Sequence, residues 1–326
     1  MDLLHALSSN LLSPAVLFFA LGLIAALTKS DLKFPESLYA SLTIYLLVAI
    51  GFKGGVAINE AGLGKVWLPA LAAITLGALI PLWTYPLLRF GGKFTAVDAS
   101  AIAAHYGSVS AVTFIAATNY LKAVNQPYES YATAFLAVME SPAILVGVVL
   151  GKLGSKRNGP LDLATLKSTV HEALFGRSIF LLVGALVVGA LCGKAGMDKV
   201  ESFFVTPFQG VLALFLLEMG LVAGRRLEDL RKVGPFLLAF GVVMPLLHGA
   251  LGVYLGRLAG LELGGATLLG VLSASASYIA APAAIRMSLP EANPTYYLTA
   301  SLAITFPFNI TVGIPIYFAM AGWLYS

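Results

Sequence analysis

Two serine-rich stretches of the sequence contain the residue types that bind a small anion. The first consists of Gly107, Ser108, Val109 and Ser110, and the second of Ser275, Ala276 and Ser277. Serine hydroxyls donate hydrogen bonds to an anion or offer an oxygen lone pair to a cation, and the N–H groups of an interrupted helix add partial positive charge. Small residues also permit close helix packing. Because two such stretches occupy corresponding places in the chain, we favour a site for a small oxyanion.

Glu140 is a carboxylate inside a long apolar run, directly before Ser141 and Pro142. A charged side chain at the centre of a membrane is costly unless it is paired, so it is a candidate functional residue. Carboxylate oxygens suit a hard cation, and the missing N–H of a proline frees a backbone carbonyl that adds a further oxygen ligand. The alternative is a structural residue that carries a proton or forms a salt bridge.

Motifs of other chemistries are missing from the sequence. It contains no phosphate-binding glycine loop, no zinc-ligand spacing and no pairing of a nucleophile with a base in its usual context. We therefore expect that the protein is not an enzyme or an ATP-driven pump, has no organic cofactor or transition metal, and binds no nucleic acid.

The composition places these residues in a membrane. Of the 326 residues, 59% are hydrophobic and only 11% are charged. A soluble domain has about 25% charged residues, so this chain lacks the charge to cover a water-exposed surface. Apolar runs of about 20 residues recur along the chain, and they do not alternate as the strands of a membrane barrel do. The sequence thus predicts an all-α polytopic membrane protein and excludes a soluble enzyme and a disordered chain.

Ten apolar segments, numbered 1 to 10 here, are separated by polar or proline- and glycine-rich breaks. They cover residues 12–28, 36–53, 67–90, 97–120, 130–151, 177–195, 204–224, 234–258, 264–288 and 296–324. The long polar connection, 152–176, divides the chain into 1–151 and 177–326. No basic region precedes the first apolar run, so we expect a spanning helix there and not a cleaved signal peptide. Cys192 is the only cysteine, which excludes an intramolecular disulfide.

Basic residues are distributed unevenly between the two sets of loops. Fourteen follow segments 1, 3, 5, 7 and 9: Lys29, Lys33, Arg89, Lys93, Lys152, Lys156, Arg157, Lys167, Arg177, Arg225, Arg226, Arg231, Lys232 and Arg286. Six lie toward the opposite side: Lys53, Lys65, Lys122, Lys194, Lys199 and Arg257. An excess of Lys and Arg marks the cytoplasmic side. We therefore expect 152–176 in the cytoplasm of a protein of the inner (plasma) membrane, with both termini on the periplasmic or extracellular side.

The second half of the sequence partly repeats the first. Residues 134–147 align with 300–313 at an offset of 166, and 108–110 align with 275–277 at an offset of 167. Five segments per repeat reverse the second copy across the membrane, which predicts a 5+5 inverted-topology arrangement. Transporters of this kind bind substrate near the midplane on interrupted helices of both halves. The repeat also places Thr305 and Asn309 opposite Glu140 as neutral oxygen ligands.

Segments 2 and 7 each contain a G-x-x-x-G motif, Gly51 with Gly55 and Gly220 with Gly224. Such motifs let helices approach closely, so we expect these two segments to pack on each other. In that arrangement Glu218 would lie near enough to Lys53 to form an ion pair.

The sequence resembles the sodium-dependent bicarbonate transporter family known from cyanobacteria. The resemblance is carried by residues 274–286, 290–294 and 305–309, and it extends through 107–113 to nearly the whole chain. Glu140 departs from the family pattern, which usually has Asp there, and Ala111 and Val112 are bulkier than the expected Gly and Ser. The resemblance implies ten helices in an inverted repeat, with segments 4 and 9 broken and crossed. It also implies a core domain of segments 3–5 and 8–10 and a gate domain of segments 1, 2, 6 and 7.

The same resemblance implies the ligands and partners. Bicarbonate would lie between the two serine stretches, at Gly107, Ser108, Val109, Ser110, Ser275, Ala276 and Ser277. Sodium, the coupling ion and the only metal expected, would lie at Glu140, Ser110, Thr113, Ser277, Thr305 and Asn309. A homotrimer in membrane lipid and a PII-like cytoplasmic regulator at 152–176 are further implications.

We therefore expect a sodium-coupled bicarbonate symporter that works by an elevator motion. Three alternatives remain at this point. They are a sodium-coupled carrier of another small anion, a proton-coupled transporter in which Glu140 carries the proton, and a passive channel or membrane-embedded receptor.

Overall fold

The computed structural model describes residues 12–154 and 177–326, together with the single positions 167, 171 and 175. These residues form helices and no strands. Seven helices are long and apolar enough to cross a membrane, and two shorter apolar helices, Val16–Leu27 and Leu263–Ala274, accompany them. The predicted all-α membrane class is confirmed. Most of the predicted connection 152–176 lies outside the described residues.

Twelve helices can be followed along the described chain. In the first half they are α1 Pro14–Leu27, α2 Glu36–Ala61, α3 Leu63–Gly91, α4 Ala96–Gly107, α5 Ala111–Ala123 and α6 Thr133–Gly154. In the second half they are α7 Arg177–Phe204, α8 Phe208–Arg226, α9 Leu230–Leu258, α10 Leu263–Ala274, α11 Ala280–Ser288 and α12 Pro294–Tyr325. Helix α7 is kinked at Gly193, where φ is 58°, and continues nine residues beyond the end of predicted segment 6.

Predicted segments 4 and 9 are each divided into two helices. Between α4 and α5 the backbone is extended at Ser108 (φ −78°, ψ 168°) and at Ser110 (φ −109°, ψ 111°). Between α10 and α11 it is extended at Ser275 (φ −82°, ψ 165°). Serine caps a helix N-terminus better than it continues a helix, because its hydroxyl accepts from the backbone N–H groups two or three residues on. The serines therefore mark where the second helix of each pair begins.

The two G-x-x-x-G motifs pack against different helices. A Cβ atom on Gly55 of α2 would overlap the carbonyl oxygen of Leu186 on α7, and a Cβ atom on Gly220 of α8 would overlap the carbonyl oxygen of Phe19 on α1. Segments 2 and 7 do contact each other, as expected, but at other residues, such as the stacked rings of Tyr39 and Phe215; only the expected role of the two glycine motifs in that contact is wrong. Sequence spacing shows that a helix has a close-packing face, but many helices of the bundle can fill it.

The expected ion pair between Lys53 and Glu218 is also not formed. The ion pairs within the described residues join Asp229 to Arg226 and Lys232. The Lys53 Nζ atom instead lies 4.3 Å from the centroid of the Phe208 ring. A cation over an aromatic face is attracted by the ring quadrupole, so this contact replaces the predicted one.

We expect Gly55→Ala and Gly220→Ala each to destabilise the protein by about 1–3 kcal/mol, the usual cost of overpacking a close contact. Thermal unfolding in detergent measures the effect. Gly184→Ala is the matched control, because a Cβ atom on Gly184 of α7 has open space within 4 Å. Equal transition temperatures for Gly55→Ala and Gly184→Ala would show that the α2–α7 contact is not tight.

Candidate functional site

The two helix breaks touch each other through backbone hydrogen bonds. The N–H of Ser277 donates to the carbonyl oxygen of His105 at 2.8 Å. The N–H of Ser110 donates to the Oγ of Ser275 at 2.9 Å, and the Ser275 hydroxyl in turn donates to Leu272 O at 2.8 Å. All of these groups are buried. The serine stretches from the two halves of the chain are therefore brought together, as the sequence predicts.

Two of the serines accept hydrogen bonds from the helices that follow them, Ser110 as the N-cap residue of α5 and Ser277 from two residues before the N-cap of α11. The Ser110 Oγ atom accepts from the N–H of Thr113 at 3.2 Å, at the start of α5. The Ser277 Oγ atom accepts from the N–H of Ala281 at 3.2 Å, near the start of α11. A hydroxyl that accepts a hydrogen bond can still donate one, so both serines have the capacity to donate to an anion; Ser110 also lies within hydrogen-bonding reach of Tyr278. An anion beside these hydroxyls would also lie close to the N-termini of two helices, where partial positive charge favours it.

Part of the expected set of backbone donors is already engaged. The N–H groups of Ser110 and Ser277 hold the two breaks together, and the N–H of Ser108 donates to Ala104 O. Among the described residues, the N–H groups of Val109 and Ala276 donate to no backbone carbonyl outside the helices. An anion at the breaks would thus depend more on hydroxyl groups, and less on backbone N–H groups, than the sequence alone suggests.

A small cavity of about 20 Å³, called the site cavity here, lies at the breaks. Its lining comes from both breaks and from helices α2, α6 and α7: Leu47, Val109, Ser110, Ala111, Leu136, Glu140, Leu182, Ser277, Tyr278 and Ile279. The volume is about that needed by one water molecule. Ser110, Ser277 and Glu140 therefore share one enclosed space, which is lined otherwise by apolar side chains and by Tyr278.

Glu140 is 7% exposed and lies in the middle of α6. None of the ion pairs formed by the described residues involves it. Helix α6 continues through Pro142, which has no N–H and leaves the carbonyl of Val138 without its helical donor. No basic partner of Glu140 occurs in the described part of the chain, so no structural salt bridge is formed there; its roles as a cation ligand or a proton carrier stay predictions.

Three other predicted cation ligands lie outside the lining of the site cavity. The Thr305 hydroxyl donates to Gly241 O at 2.7 Å, and the Asn309 Nδ2 donates to Ala274 O at 2.9 Å. The Asn309 Oδ1 accepts from Tyr317 at 2.8 Å. Thr113 is buried one helical turn after Ser110. In this conformation Asn309 anchors the end of α10, and its ligand role stays a prediction.

The predicted anion residues are likewise divided. Val109, Ser110 and Ser277 line the site cavity, whereas Gly107, Ser108, Ser275 and Ala276 do not. The Ser108 Oγ atom is buried and has no hydrogen-bond partner within the described residues. Sequence analysis missed Leu47, Leu136, Leu182 and Ile279, because an apolar side chain on a membrane helix gives no signal that distinguishes a site wall from a lipid contact.

Two larger cavities lie on either side of the site cavity. The first, about 460 Å³, is named the Arg177 cavity, and its lining includes Glu36, Tyr39, Leu47, Arg177 and Ile279. The second, about 610 Å³, is named the Lys53 cavity, and its lining includes Ile50, Lys53, Phe114, Lys122 and Phe208. Leu47 and Ile279 line both the site cavity and the Arg177 cavity, whereas no lining residue is shared with the Lys53 cavity. The site cavity therefore adjoins the Arg177 cavity.

The site cavity is lined by two serines and a glutamate that the sequence predicts as ion ligands. No group of three His, Cys, Asp or Glu side chains suited to a metal ion occurs in the described residues. A sequence model of the Na+-dependent bicarbonate transporter superfamily matches residues 14–322 of the chain. No curated protein matches it.

Proposed function

The chain belongs to the Na+-dependent bicarbonate transporter superfamily, and from this premise we propose that it is a sodium-coupled symporter that takes up bicarbonate across the inner (plasma) membrane. One observation carries the proposal: Ser110, Ser277 and Glu140 line a single buried cavity. Bicarbonate accepts hydrogen bonds from the two serine hydroxyls and from N–H groups at the breaks, and sodium binds the Glu140 carboxylate. Adjacent opposite charges lower the cost of burying each ion.

Two ions of opposite charge at one site also explain the coupling; the site cavity, which has room for about one water molecule in this conformation, would widen to hold them. Bicarbonate without sodium would lie near the unpaired Glu140 carboxylate, and like charges at short distance repel. Sodium without bicarbonate would lie near two helix N-termini, whose partial positive charge is unfavourable for a cation. Each ion therefore raises the affinity of the site for the other, which is the linkage that a symporter requires.

The packing supports a 5+5 inverted repeat of ten spanning segments. Helix α2 packs on α7 and α8 packs on α1, so equivalent segments of the two halves make equivalent contacts with partners in the opposite half. Within the site cavity, Leu47 and Leu182 come from segments 2 and 6, whereas the remaining lining residues come from segments 4, 5 and 9. This lining supports a division into a core domain of segments 3–5 and 8–10 and a gate domain of segments 1, 2, 6 and 7, with the site at their boundary. A core that slides along this boundary would carry the ions across the membrane as an elevator.

The loop charges suggest which side is accessible in this conformation. In the orientation that puts the basic loops in the cytoplasm, the Arg177 cavity faces the cytoplasm and the Lys53 cavity faces outside. Because the site cavity adjoins the Arg177 cavity, we infer a state closed to the outside and close to inward release. A symport of one sodium with one bicarbonate is electroneutral, and each further net charge would add about 2.3 kcal/mol per 100 mV of membrane potential.

Uptake of labelled bicarbonate into proteoliposomes, with and without an inward sodium gradient, tests the function. We expect saturable uptake that requires external sodium. Sodium-driven uptake of another labelled anion without bicarbonate uptake would reassign the substrate, and uptake that follows a pH gradient without sodium would show proton coupling. Currents that do not saturate would indicate a channel.

The orientation can be tested by cysteine labelling in a Cys192→Ser background, since Cys192 is exposed. Lys199 and Lys232 are both exposed, and the proposed topology places them on opposite sides. We expect an impermeant maleimide to label Lys199→Cys in intact cells and Lys232→Cys only after permeabilisation. The reverse pattern would overturn the orientation.

Assembly and regulation extend the proposal. We propose that the protein forms homotrimers in the membrane and that a PII-like regulator binds 152–176 from the cytoplasm. The residues of this connection lie largely outside the described part of the chain, so the proposal rests on the family alone.

A further inference from the structure

We propose that Lys53 is the residue that recruits the anionic substrate from the outer cavity toward the site. This inference rests on the proposed function. It names the residue that attracts anions and repels cations in the outer cavity, before the substrate reaches the helix breaks. It is carried by the depth of Lys53, by its partners and by the asymmetry between the two halves of the chain.

Lys53 lies on the path between the outside and the site. On α2, Leu47 lines the site cavity, while Ile50 and Lys53 line the Lys53 cavity. Lys53 follows Leu47 by six residues, which is about 9 Å along a helix. Each step of three residues turns the helix by about 60°, so Ile50 faces between Leu47 and Lys53, whose own directions differ by about 120°. The Lys53 side chain therefore lies about two helical turns outward from the site.

The other charges that line the Lys53 cavity are more exposed than Lys53. Three acidic and two basic residues occupy exposed positions: Glu60, Lys122, Lys194, Asp198 and Glu201. Their charges nearly cancel and are screened by water and salt. Lys53 is partly buried. A charge at the low-dielectric end of a cleft dominates the potential there, because field lines are focused by the walls.

No carboxylate neutralises Lys53 within the described residues. The ion pairs found there all involve Asp229, and the Lys53 ammonium lies over the Phe208 ring instead. A ring holds the ammonium in place without cancelling its charge. The lysine is thus positioned and still able to attract an anion.

The inverted repeat shows that packing does not require a lysine at this place. Lys53 is the third residue of the motif from Gly51 to Gly55, and the equivalent third residue between Gly220 and Gly224 is Val222. Val222 packs against the hydrophobic core. A cation inside a spanning helix is energetically costly. This cost occurs at Lys53 and not at the equivalent Val222. A lysine on the outer side attracts the anion before it reaches the site. Valine at the equivalent place in the second half has no charge that would hold the anion after its release on the inside.

Lys53→Met keeps the length of the side chain and removes its charge, so it tests the proposal in the uptake assay. We expect the KM for external bicarbonate to rise about tenfold, the lower end of the gain that a focused charge supplies, with a smaller change in kcat. Lys53→Arg should restore the wild-type KM, since it keeps the charge. Lys199→Met, the matched control, removes an exposed charge that does not line this cavity and should leave the KM unchanged. An unchanged KM in Lys53→Met would overturn the proposal.

Two further measurements separate recruitment from packing and from the transport function itself. Phe208→Leu removes the ring and keeps the lysine, so a rise in KM as large as that of Lys53→Met would mean that Lys53 acts only through packing. In a Cys192→Ser chain, Thr118→Cys places a thiol in the Lys53 cavity, where an anionic methanethiosulfonate should react faster than a cationic one. Adding Lys53→Met should reverse or abolish this preference, and an unchanged preference would refute the proposal. This thiol measurement needs no transport, so it decides the role of Lys53 even if the protein transports no bicarbonate.

Discussion

Glu140→Gln should abolish sodium-dependent bicarbonate uptake in a protein that still folds. Glu140 is 7% exposed, lines the site cavity beside Ser110 and Ser277, and has no ion-pair partner among the described residues. Glutamine keeps nearly the same shape and removes the charge that the cation needs. Loss of one coordinating charge should raise the sodium requirement at least about tenfold, or about 1.4 kcal/mol.

The control for this variant is Glu218→Gln. Glu218 is a second buried carboxylate, 8% exposed on α8, that does not line the site cavity. Its neutralisation should leave the sodium requirement unchanged, whereas Glu140→Asp should keep sodium dependence because it keeps the charge. Uptake at graded sodium concentrations, with thermal unfolding to verify folding, makes the comparison. A well-folded Glu140→Gln protein with normal sodium dependence would refute the ion assignment.

The sequence predicts the positions of the helix breaks because the signal is local. Serine hydroxyls compete with helical hydrogen bonding. Ser110 and Ser277 bond to backbone N–H groups only three and four residues further along the chain, so their effect can be read from the nearby sequence. Pro282 lies inside predicted segment 9 and, in the structure, near the start of α11. A proline is tolerated in the first turn, where its missing N–H would have no helical acceptor. It therefore marks the beginning of the second helix, not the break.

Partners that depend on tertiary packing could not be predicted. Thr305 and Asn309 have the right oxygens for a cation, but Gly241, Ala274 and Tyr317 occupy their hydrogen bonds. Gly241 and Ala274 belong to α9 and α10, and no sequence spacing reveals that these helices approach α12; only Tyr317, eight residues after Asn309 on the same helix, could have been expected nearby. The same limit applies to the glycine motifs, which show a close-packing face without naming the helix that fills it.

Removing the hydroxyl group of Ser110 or Ser277 should weaken the binding of bicarbonate. Each hydroxyl accepts a hydrogen bond from a backbone N–H group in the first turn of the helix that follows it. Ser110→Ala and Ser277→Ala should each weaken bicarbonate binding by about 1.5–3 kcal/mol, the value of a buried hydrogen bond to a charged group. This corresponds to a loss of affinity of about tenfold to a hundredfold. Loss of the cap alone would appear as about 1 kcal/mol of stability in thermal unfolding, without a matching loss of affinity.

Ser273→Ala provides the control, because the Ser273 hydroxyl is buried and donates to Leu269 O within α10 but does not line the site cavity. It should leave the affinity unchanged. Ser277→Val should be more damaging than Ser277→Ala, because it removes the hydroxyl and adds bulk to a cavity of about 20 Å³. Arg286 is the competing anion ligand, yet it is exposed and lies nine residues beyond Ser277, about 13 Å along a helix. If both alanine variants bind bicarbonate normally while Arg286→Gln does not, a side-chain cation binds the anion and the site at the breaks is misplaced.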